Sequence, residues 1–430
     1  MKKILEKILY ILAKLILLRY KPKIIGITGS VGKTSAKEAI YTVLEKKFKV
    51  RKNIKNYNNE IGVPLTIIGA ESGNKNPLVW LGIFLKAFLM LIYWPYPKIL
   101  ILEMGADKPG DIRYLTKLAP CYIGIITTIG KQPVHLEFFR SLEHLAREKA
   151  NIINHLDADA WAIANIDDAT IETVIDKTKA QLITIGTSEK AKLKASDINF
   201  SLDLEQAITQ KNAGLNFKAH YEGNTIPFKL FNILGLPQVY AALNAIAVGI
   251  IFKMNLVDIS LALKEYHAPK GRLQIIKGMK DTIIIDDSYN SSPLACQQAL
   301  KMLQSVKASG RKIACLGNME ELGENSRRAH RDIGRLVADL KIDSLFAVGT
   351  KAKDIAEAAL ENGITKENVF IFHTSEEARK AVQAEIHRGD VILIKGSQSA
   401  RMERITKEIM AEPLCAKELL VRQEKSWENR

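Results

Sequence analysis

A chain of 430 residues that is 47% hydrophobic and 25% charged has room for two or three domains and is too apolar to be intrinsically disordered. Its 4 cysteines are scattered and form no C-x-x-C pair, which argues against a zinc or redox motif and fits a reducing, cytoplasmic setting. The net charge of +15 favours anionic ligands or acidic membrane surfaces, and no nucleic-acid-binding motif accompanies it, so we expect no nucleic-acid partner.

Residues 1–22 are predicted to form a basic, apolar helix. On such a helix Lys3, Lys7 and Lys14 fall along one stripe, and isoleucine and leucine side chains cover the rest. No small-residue cleavage site follows, so we do not expect a removable signal peptide. Two interpretations stay open, namely an anchor that lies in a membrane interface and a helix docked on the protein's own surface.

The segment 24–35 reads IIGITGSVGKTS, in which a strand runs into a glycine-rich turn and then a helix. Glycines let backbone N–H groups approach phosphate oxygens, and the helix N-terminus adds partial positive charge. Lys33 can reach the β- and γ-phosphates of a nucleotide, and Thr34 can place a hydroxyl on Mg²⁺. The spacing is a variant of the Walker pattern, because Ile27 stands where that pattern has glycine. The residues predicted to hold the phosphates are Gly29, Ser30, Val31, Gly32, Lys33, Thr34 and Ser35.

Residues 23–268 alternate β-branched runs with helical stretches, which predicts a parallel sheet covered by helices. The predicted strands are 23–28, 98–103, 122–127, 161–165 and 181–185, and helices are predicted at 35–46 and 142–153. Residues 198–232 alternate polar and apolar side chains around turn signals, as an antiparallel annex would. Glu103 ends an apolar strand at the carboxyl edge of the sheet, where a carboxylate is well placed to hold Mg²⁺.

The segment 78–94 lies between Pro77 and Pro95 and is apolar apart from Lys86. Its length is near the lower limit of a membrane span. A single crossing would place Lys33 and Glu103 on opposite sides of the membrane, although the expected site needs both. We therefore predict either a helix buried on the sheet or a surface helix that dips into lipid.

The βα pattern restarts after a predicted hinge at 268–272. Strands are predicted at 282–286, 312–316, 344–348, 369–372 and 391–394, again with helices between them. The expected fold class is therefore α/β, with a P-loop parallel-sheet central ATPase domain at 23–268 and a smaller Rossmann-like α/β C-terminal domain at 269–430.

Further distinctive segments follow the phosphate loop along the chain. They are NYNNEIGVP at 56–64, EMGA at 103–106, HLE at 135–137 with Lys149, DDSYN at 286–290 with Pro293, LGNMEELG at 316–323 and KGS at 395–397. Together with the loop variant, and in the same order, they resemble the Mur ligase family, the amide-forming enzymes that build the peptidoglycan peptide. Several are similar to the branch that adds D-alanyl-D-alanine, and the resemblance covers nearly the whole chain.

The resemblance implies an activity, cofactors and partners. It implies an ATP-dependent acid–D-amino-acid ligase of peptidoglycan precursor synthesis that uses Mg²⁺. Its partners would be D-alanyl-D-alanine and a UDP-MurNAc-tripeptide or related carboxylate donor. The donor carboxylate would attack the γ-phosphate of ATP, and the amine would attack the resulting acyl phosphate. Closure about the hinge would bring the C-terminal domain to the nucleotide and keep water out.

The resemblance also implies roles for individual residues. The expected catalytic residues are Lys33, Lys149 and Arg272. The expected Mg²⁺ sites are Thr34, Glu103, His135 and Lys149, the last of them carbamylated although Asn151 stands where the family usually has glutamate. Besides the phosphate loop, the expected nucleotide contacts are Asn244, Arg272, Asp287 and Asn290. The expected substrate contacts are Asn58, Asn59, Lys395 and Ser397, the last two in a loop that follows a strand.

Two departures from the family pattern affect these expectations. The segment 235–242 resembles the adenine-side pattern G-x-H-N-x-x-N-A, but Pro237 replaces the histidine and Ala241 the second asparagine. Adenine contacts must therefore differ, or Asn244 substitutes from the next turn. In addition, the basic apolar helix stands where the family has a separate UDP-sugar domain. Either UDP is bound differently, or the donor is a different or lipid-linked carboxylate.

Two alternative functions stay open. One is a ligase of the same chemistry with another acceptor, of the pseudomurein-peptide or polyglutamate type. The other is a non-catalytic nucleotide-binding scaffold, which would have no use for a dinuclear metal site. We expect a cytoplasmic monomer, with residues 1–20 and 78–94 as the candidate contacts with the inner face of the membrane.

Overall fold

The computed structural model describes residues 2–54, 57–131, 138–201, 213–424 and 427, and within them the chain forms two β-sheets. The elements of the first part, in chain order, are α1 Lys2–Tyr20, β1 Lys23–Thr28, α2 Lys33–Leu44, β2 Val50–Lys52, α3 Gly62–Ile68, α4 Pro77–Ile92, β3 Ile99–Glu103, α5 Asp111–Leu118, β4 Ile123–Ile126, α6 Leu142–Asn154, β5 Trp161–Asn165, α7 Ala169–Glu172, β6 Gln181–Gly186, β7 Leu193–Ser201, β8 Gly214–Tyr221, β9 Asn224–Phe231, α8 Leu236–Ile251 and α9 Leu256–Leu263.

The first sheet has the strand order β2-β3-β1-β4-β5-β6-β7-β8-β9. Its strands pair in parallel from β2 through β7, and β8 pairs antiparallel with both β7 and β9. The five predicted strands are confirmed with ends shifted by no more than one residue. The predicted antiparallel pairing is confirmed too, and the β6–β7 pair makes these strands a continuation of the same sheet.

Helices cover both faces of this sheet, which is why its central strands are near-continuous runs of buried β-branched residues. In β1 five of the six residues are buried. One face packs against α2 and α8, and the other against α1, α4, α5 and α6. The parallel strands therefore end together at one carboxyl edge, between β1, β3 and β4, where the phosphate loop begins.

The second sheet is built by the remaining elements, which are β10 Gln274–Lys277, β11 Ile283–Asp287, α10 Pro293–Ser305, β12 Lys312–Gly317, α11 Ser326–Asp339, β13 Ser344–Val348, α12 Lys353–Glu361, β14 Val369–Phe372, α13 Ser375–Glu385, β15 Val391–Lys395, α14 Glu403–Ile409 and α15 Ala416–Leu419. Its strand order is β10-β11-β15-β12-β13-β14, and only the edge pair β10–β11 is antiparallel. The five predicted strands are confirmed, whereas β10 was not predicted. The boundary at residue 268 stays a prediction.

The helices α1 and α4 lie on the outer surface of the first sheet and pack on each other. Helix α1 buries Leu9, Ala13 and Ile16 against the protein, so the interpretation of a docked helix is confirmed for this face. The interpretation of α4 as a helix buried on the sheet is wrong, because only Ile83, Ala87 and Met90 of this helix are buried. Among the described residues no helix is both long and apolar enough to cross a membrane.

Candidate active site

The phosphate loop joins β1 to α2 through two glycines with positive φ. Gly29 has φ +146° and Gly32 has φ +88°, a backbone region that side chains disfavour. A Cβ atom at Gly29 would also lie 2.1 Å from Thr127 Oγ1. Gly32 precedes α2 without a side-chain cap, so the first N–H groups of the helix are left for a ligand. Lys33 donates from Nζ to the carbonyl oxygen of Gly29 at 2.8 Å.

Two residues of the loop are attached to the neighbouring strand. The amides of Ser30 and Val31 donate to the carbonyl oxygen of Thr128, at 2.6 Å and 3.1 Å. These two N–H groups are thus paired within the protein. The buried Ser30 Oγ has no hydrogen-bond partner among the described residues, and it borders the same cavity as Lys33 and Thr34. A polar ligand in the cavity would satisfy it.

Hydroxyl and carboxylate oxygens meet beside the loop. Thr34 donates from Oγ1 to Glu103 Oε2 at 3.0 Å, and Glu103 is buried at the end of β3. Buried Lys37 places Nζ 3.9 Å from the same carboxylate oxygen, and Asn58 Nδ2 lies 3.5 Å from the other. Oxygen ligands of this kind suit Mg²⁺, which is usually held by one or two protein groups with phosphates and water completing the shell. Thr34 and Glu103 therefore fit the ion.

The predicted metal set is described only in part. His135 lies outside the described residues, and these contain no group of three or more His, Cys, Asp or Glu side chains suited to a metal. Lys37 was not predicted as a site residue, because nothing in the sequence distinguishes it from an exposed lysine on a helix. Its burial could be anticipated only from the spacing on α2, where Ala36 and Ile40 face the core.

The ammonium groups of buried Lys149 and half-buried Lys33 converge on one carbonyl oxygen. Lys149 on α6 donates from Nζ to Gly29 O at 3.3 Å, the same oxygen that Lys33 contacts. Burial, reinforced by the charge of Lys33, lowers the pKa of Lys149 to about 7. Burial also lowers the pKa of Lys33, although the nearby Glu103 carboxylate opposes this shift. Asn151 donates to Glu148 Oε2 at 3.2 Å, and so supports the acidic neighbour of Lys149.

The second sheet closes the other side of the cavity, which has a volume of about 280 Å³. Arg272, Asp287 and Asn290 line it together with Lys33 and Thr34. The Arg272 guanidinium lies 4.2 Å from the centre of the Tyr289 ring, a cation–π distance that fixes its direction. The predicted nucleotide residues of the two sheets are thus brought together.

Lys395 differs from its prediction. It is the last residue of β15 rather than part of a loop, and it is buried. Its Nζ lies 2.6 Å from Asp287 Oδ2 and also donates to the carbonyl oxygen of Asn290 at 3.0 Å. The lysine borders the cavity, but its charge is already paired, so its position supports Asp287 and the Asn290 loop.

Two more predicted substrate residues lie away from the cavity lining. Asn59 accepts from the amides of Ile61 and Gly62, at 3.2 Å and 2.9 Å, and so supports the start of α3. Ser397 is buried and contacts Ser399 Oγ at 3.3 Å. Neither side chain is among those that line the cavity, whereas Asn58 is.

A second cavity of about 470 Å³ lies next to the phosphate loop and was not predicted. Asn165, Asp167 and Tyr240 line it, and Tyr240 donates to Asp167 Oδ2 at 2.9 Å. The available signal was the polar run that follows the strand β5, because ligands bind at the carboxyl ends of parallel strands. Asn244 borders a narrow cleft with Tyr240, and its buried Oδ1 has no partner among the described residues.

Comparisons with known proteins agree with this geometry. Two family models match the chain, the Mur ligase middle domain over 27–79 and 89–249 and the Mur ligase, glutamate ligase domain over 271–398. The UDP-N-acetylmuramoyl-tripeptide--D-alanyl-D-alanine ligase of Bacillus subtilis (strain 168) is 30% identical over 403 residues, which cover 94% of this chain and 79% of that protein.

Solved structures show the same likeness. The MurF ligase from Thermotoga maritima in complex with ADP superposes with a TM-score of 0.77 at 25% identity, covering 94% of this chain and 83% of that one. MurF from Acinetobacter baumannii superposes with a TM-score of 0.75 at 25% identity, covering 93% and 79%. By its sequence, its fold and the residues that its phosphate loop brings together, the chain belongs to the Mur ligase family.

Proposed function

We propose that this protein is an ATP-dependent ligase that joins D-alanyl-D-alanine to the peptide carboxylate of a UDP-MurNAc-tripeptide. The observation that carries the proposal is the single cavity that is lined both by Lys33, Thr34 and Glu103, at the edge of the first sheet, and by Arg272 and Asp287, at the edge of the second. The relative from Bacillus subtilis, named for this reaction, supports the choice of substrates.

The reaction has two balanced steps. A carboxylate oxygen of the donor forms a bond to the γ-phosphorus of ATP as the bond to the ADP oxygen breaks, which gives an acyl phosphate. The amine of the dipeptide then attacks the acyl carbon and loses a proton, and inorganic phosphate leaves with the electrons of the broken C–O bond. Lys33 and Arg272 are placed to balance the charge on the transferred phosphoryl group. Mg²⁺ held by Thr34 and Glu103 would neutralise phosphate oxygens.

Lys149 is the proposed carbamylated residue. A lysine amine reacts with CO₂ only when it is neutral, and a pKa of about 7 leaves a large neutral fraction at neutral pH. The addition forms an N–C bond and releases one proton. The resulting anion would replace a repelling ammonium beside Lys33 with an attracting charge, since both lysines contact Gly29 O.

The second cavity is the proposed site of the nucleoside part of ATP. It adjoins the phosphate loop through Thr128, and Asn165 and Tyr240 on its wall supply polar groups. Asn244 Oδ1 is the group proposed to take over from the asparagine that Ala241 replaces, because it is buried and has no partner among the described residues.

The test measures phosphate release from MgATP by the purified protein, with product mass as a second readout. Release is expected only when UDP-MurNAc-tripeptide and D-alanyl-D-alanine are both present, and Lys33→Ala should abolish it. Lys47→Ala is the matched control, because Lys47 is on the surface and pairs with Asp258. ATP binding without release under any condition would instead favour a non-catalytic scaffold.

A second candidate is the same chemistry on a lipid-linked carboxylate donor. The observation that favours it is the exposed apolar surface of α1 and α4, which lies on the sheet whose edge carries the site. Release with a lipid-linked donor, and none with the soluble one, would replace the first assignment.

A further inference from the structure

Helix α1 exposes one apolar stripe. Ile4, Ile8, Ile11, Leu15 and Leu18 recur at the spacing of a single helix face and have exposed fractions between 40% and 66%. The opposite face of the helix is buried on the protein. The exposed stripe is therefore an outward surface of a helix that is already docked.

Helix α4 exposes a matching stripe. Leu78, Leu81, Leu85, Phe88 and Ile92 again follow one helix face and are 58% to 75% exposed. Large apolar side chains in such number are unusual on the surface of a soluble monomer, where contiguous apolar patches mark interaction sites. We name the ten exposed side chains of the two stripes the apolar platform.

The two helices are fastened side by side. Arg19 donates from Nη2 to the carbonyl oxygen of Ile92 at 2.6 Å, and Tyr20 donates from its hydroxyl to Met90 O at 2.6 Å. The Tyr20 ring also stacks on that of Tyr96 with centroids 4.6 Å apart. Since both helices bury their inner faces in one core, the platform is a fixed feature of the fold.

Charge around the platform has one dominant sign. Helix α1 carries five cationic side chains and a single acidic one, and Lys3 and Lys7 are exposed beside its stripe. Helix α4 has no acidic residue, and its Lys86 donates inward to the carbonyl oxygen of Gly69. At the end of α4 the exposed Tyr93 and Trp94 supply the amphipathic rings that favour a membrane interface.

We propose that the apolar platform docks on an anionic lipid bilayer, with the axes of α1 and α4 in the plane of the headgroup–acyl boundary. Apolar area and basic flanks are the two terms that bind interfacial helices to such surfaces. A second copy of the chain is a poorer occupant, because its platform would bring the same positive charge. The site at the carboxyl edge of the sheet stays open, since the platform covers a face and not that edge.

Vesicle flotation of the full chain tests the proposal. The protein should float with vesicles of phosphatidylcholine and phosphatidylglycerol and remain unbound with phosphatidylcholine alone, and added salt should weaken binding. Leu85→Glu with Phe88→Glu should lower the partition coefficient at least about tenfold. The matched control is Val257→Glu with Leu261→Glu on α9, equally exposed apolar positions, which should change it less than about twofold.

Folding is checked by MgATP binding and by the thermal midpoint of each variant. If the α4 variant misfolds, Lys3→Glu with Lys7→Glu reverses the flanking charge at two exposed positions and should still weaken flotation. Absent flotation, equal loss in the α4 and α9 variants, or equal binding to neutral vesicles overturns the proposal. A dimer in solution without vesicles, lost in the α4 variant, would assign the platform to a second copy and overturn it too.

Discussion

Lys149 illustrates how one buried side chain can be reactive because of its surroundings. The carbonyl oxygen of Gly29 accepts hydrogen bonds from the Nζ atoms of both Lys149 and Lys33, so two like charges compete for one acceptor. Losing the proton from Lys149 removes both the repulsion and the desolvation cost, which is why its pKa is about 7. Lys149, which the sequence alone shows only as a lysine on a predicted helix, is thus mostly neutral at slightly alkaline pH.

We predict that Lys149 takes up CO₂ as a carbamate. With ¹³C-labelled bicarbonate the protein should give a carbamate signal by NMR that is absent from Lys149→Ala and present in Lys47→Ala. Because the neutral amine grows as pH rises through about 7, the signal should be stronger at higher pH than at lower pH. An identical signal in Lys149→Ala would contradict the assignment.

Asp286 gives a second residue-scale prediction, on stability. It is fully buried in β11, and burial raises its pKa from 3.8 to about 7. Between these two pH values the folded protein keeps a proton that the unfolded chain has released, so stability falls as pH rises through this window. Asp286→Asn cannot titrate. As the pH rises from about 5 to about 8, the free energy of unfolding of this variant should increase by about 1–3 kcal/mol relative to that of the wild type.

Urea unfolding at the two pH values measures this difference. The matched control is Asp339→Asn at the exposed end of α11, which should show no comparable pH-dependent gain. If the Asp286→Asn protein loses stability at the higher pH as the wild type does, the raised pKa is not the cause.

At the scale of the element, α6 matters because it carries Lys149. Ser141 precedes the helix, and its Oγ accepts from the amide of His144 at 3.1 Å. We predict that Ser141→Ala destabilises the protein by about 1 kcal/mol, and that Ser141→Thr, which keeps the hydroxyl, costs less. The midpoints of denaturant unfolding measure both stability changes, provided that the denaturant dependence of the unfolding free energy is the same for each protein. Equal stability of the alanine and wild-type proteins would show that this cap contributes nothing.

The sequence predicted the long elements well and the short ones poorly, for physical reasons. Strands such as β1 and β15 are buried on both faces and therefore appear as apolar runs bounded by polar turns. The three-residue β2 is half-buried along its length and has no such run. The antiparallel edge strand β10 has only two apolar residues in its centre, so its pairing with β11 depends on contacts remote in sequence.

The candidate site shows the same division. The residues of the glycine-rich loop were predictable because the spacing of the glycines determines the shape of the loop. Glu103 was predictable because it ends a strand beside that loop. Lys37 and Tyr240 were not, because their importance comes from what packs against them. The substrate prediction for Asn59 overlooked a local use of the side chain, which supports the start of α3.

For the whole molecule, the main feature is that two sheets share one cavity. Its lining includes Lys33 beside the first sheet and Asp287 of the second. We predict that the protein melts in a single transition and that MgADP raises its thermal midpoint. At a hundredfold excess of MgADP over its Kd, the free energy of unfolding should increase by about 2.7 kcal/mol. Arg272→Ala should reduce the gain. Calorimetry that shows only one of two transitions shifted would mean that the nucleotide binds to one sheet alone.

The attachment of Ser30 and Val31 to Thr128 has a consequence for the timing of nucleotide capture. Two backbone hydrogen bonds hold the turn against the end of β4 before any phosphate arrives. The entropy of ordering this turn is thus lost during folding and not during association. An arriving phosphate group would meet a preorganised cradle, so we expect its encounter with the loop to be governed by diffusion and electrostatic steering.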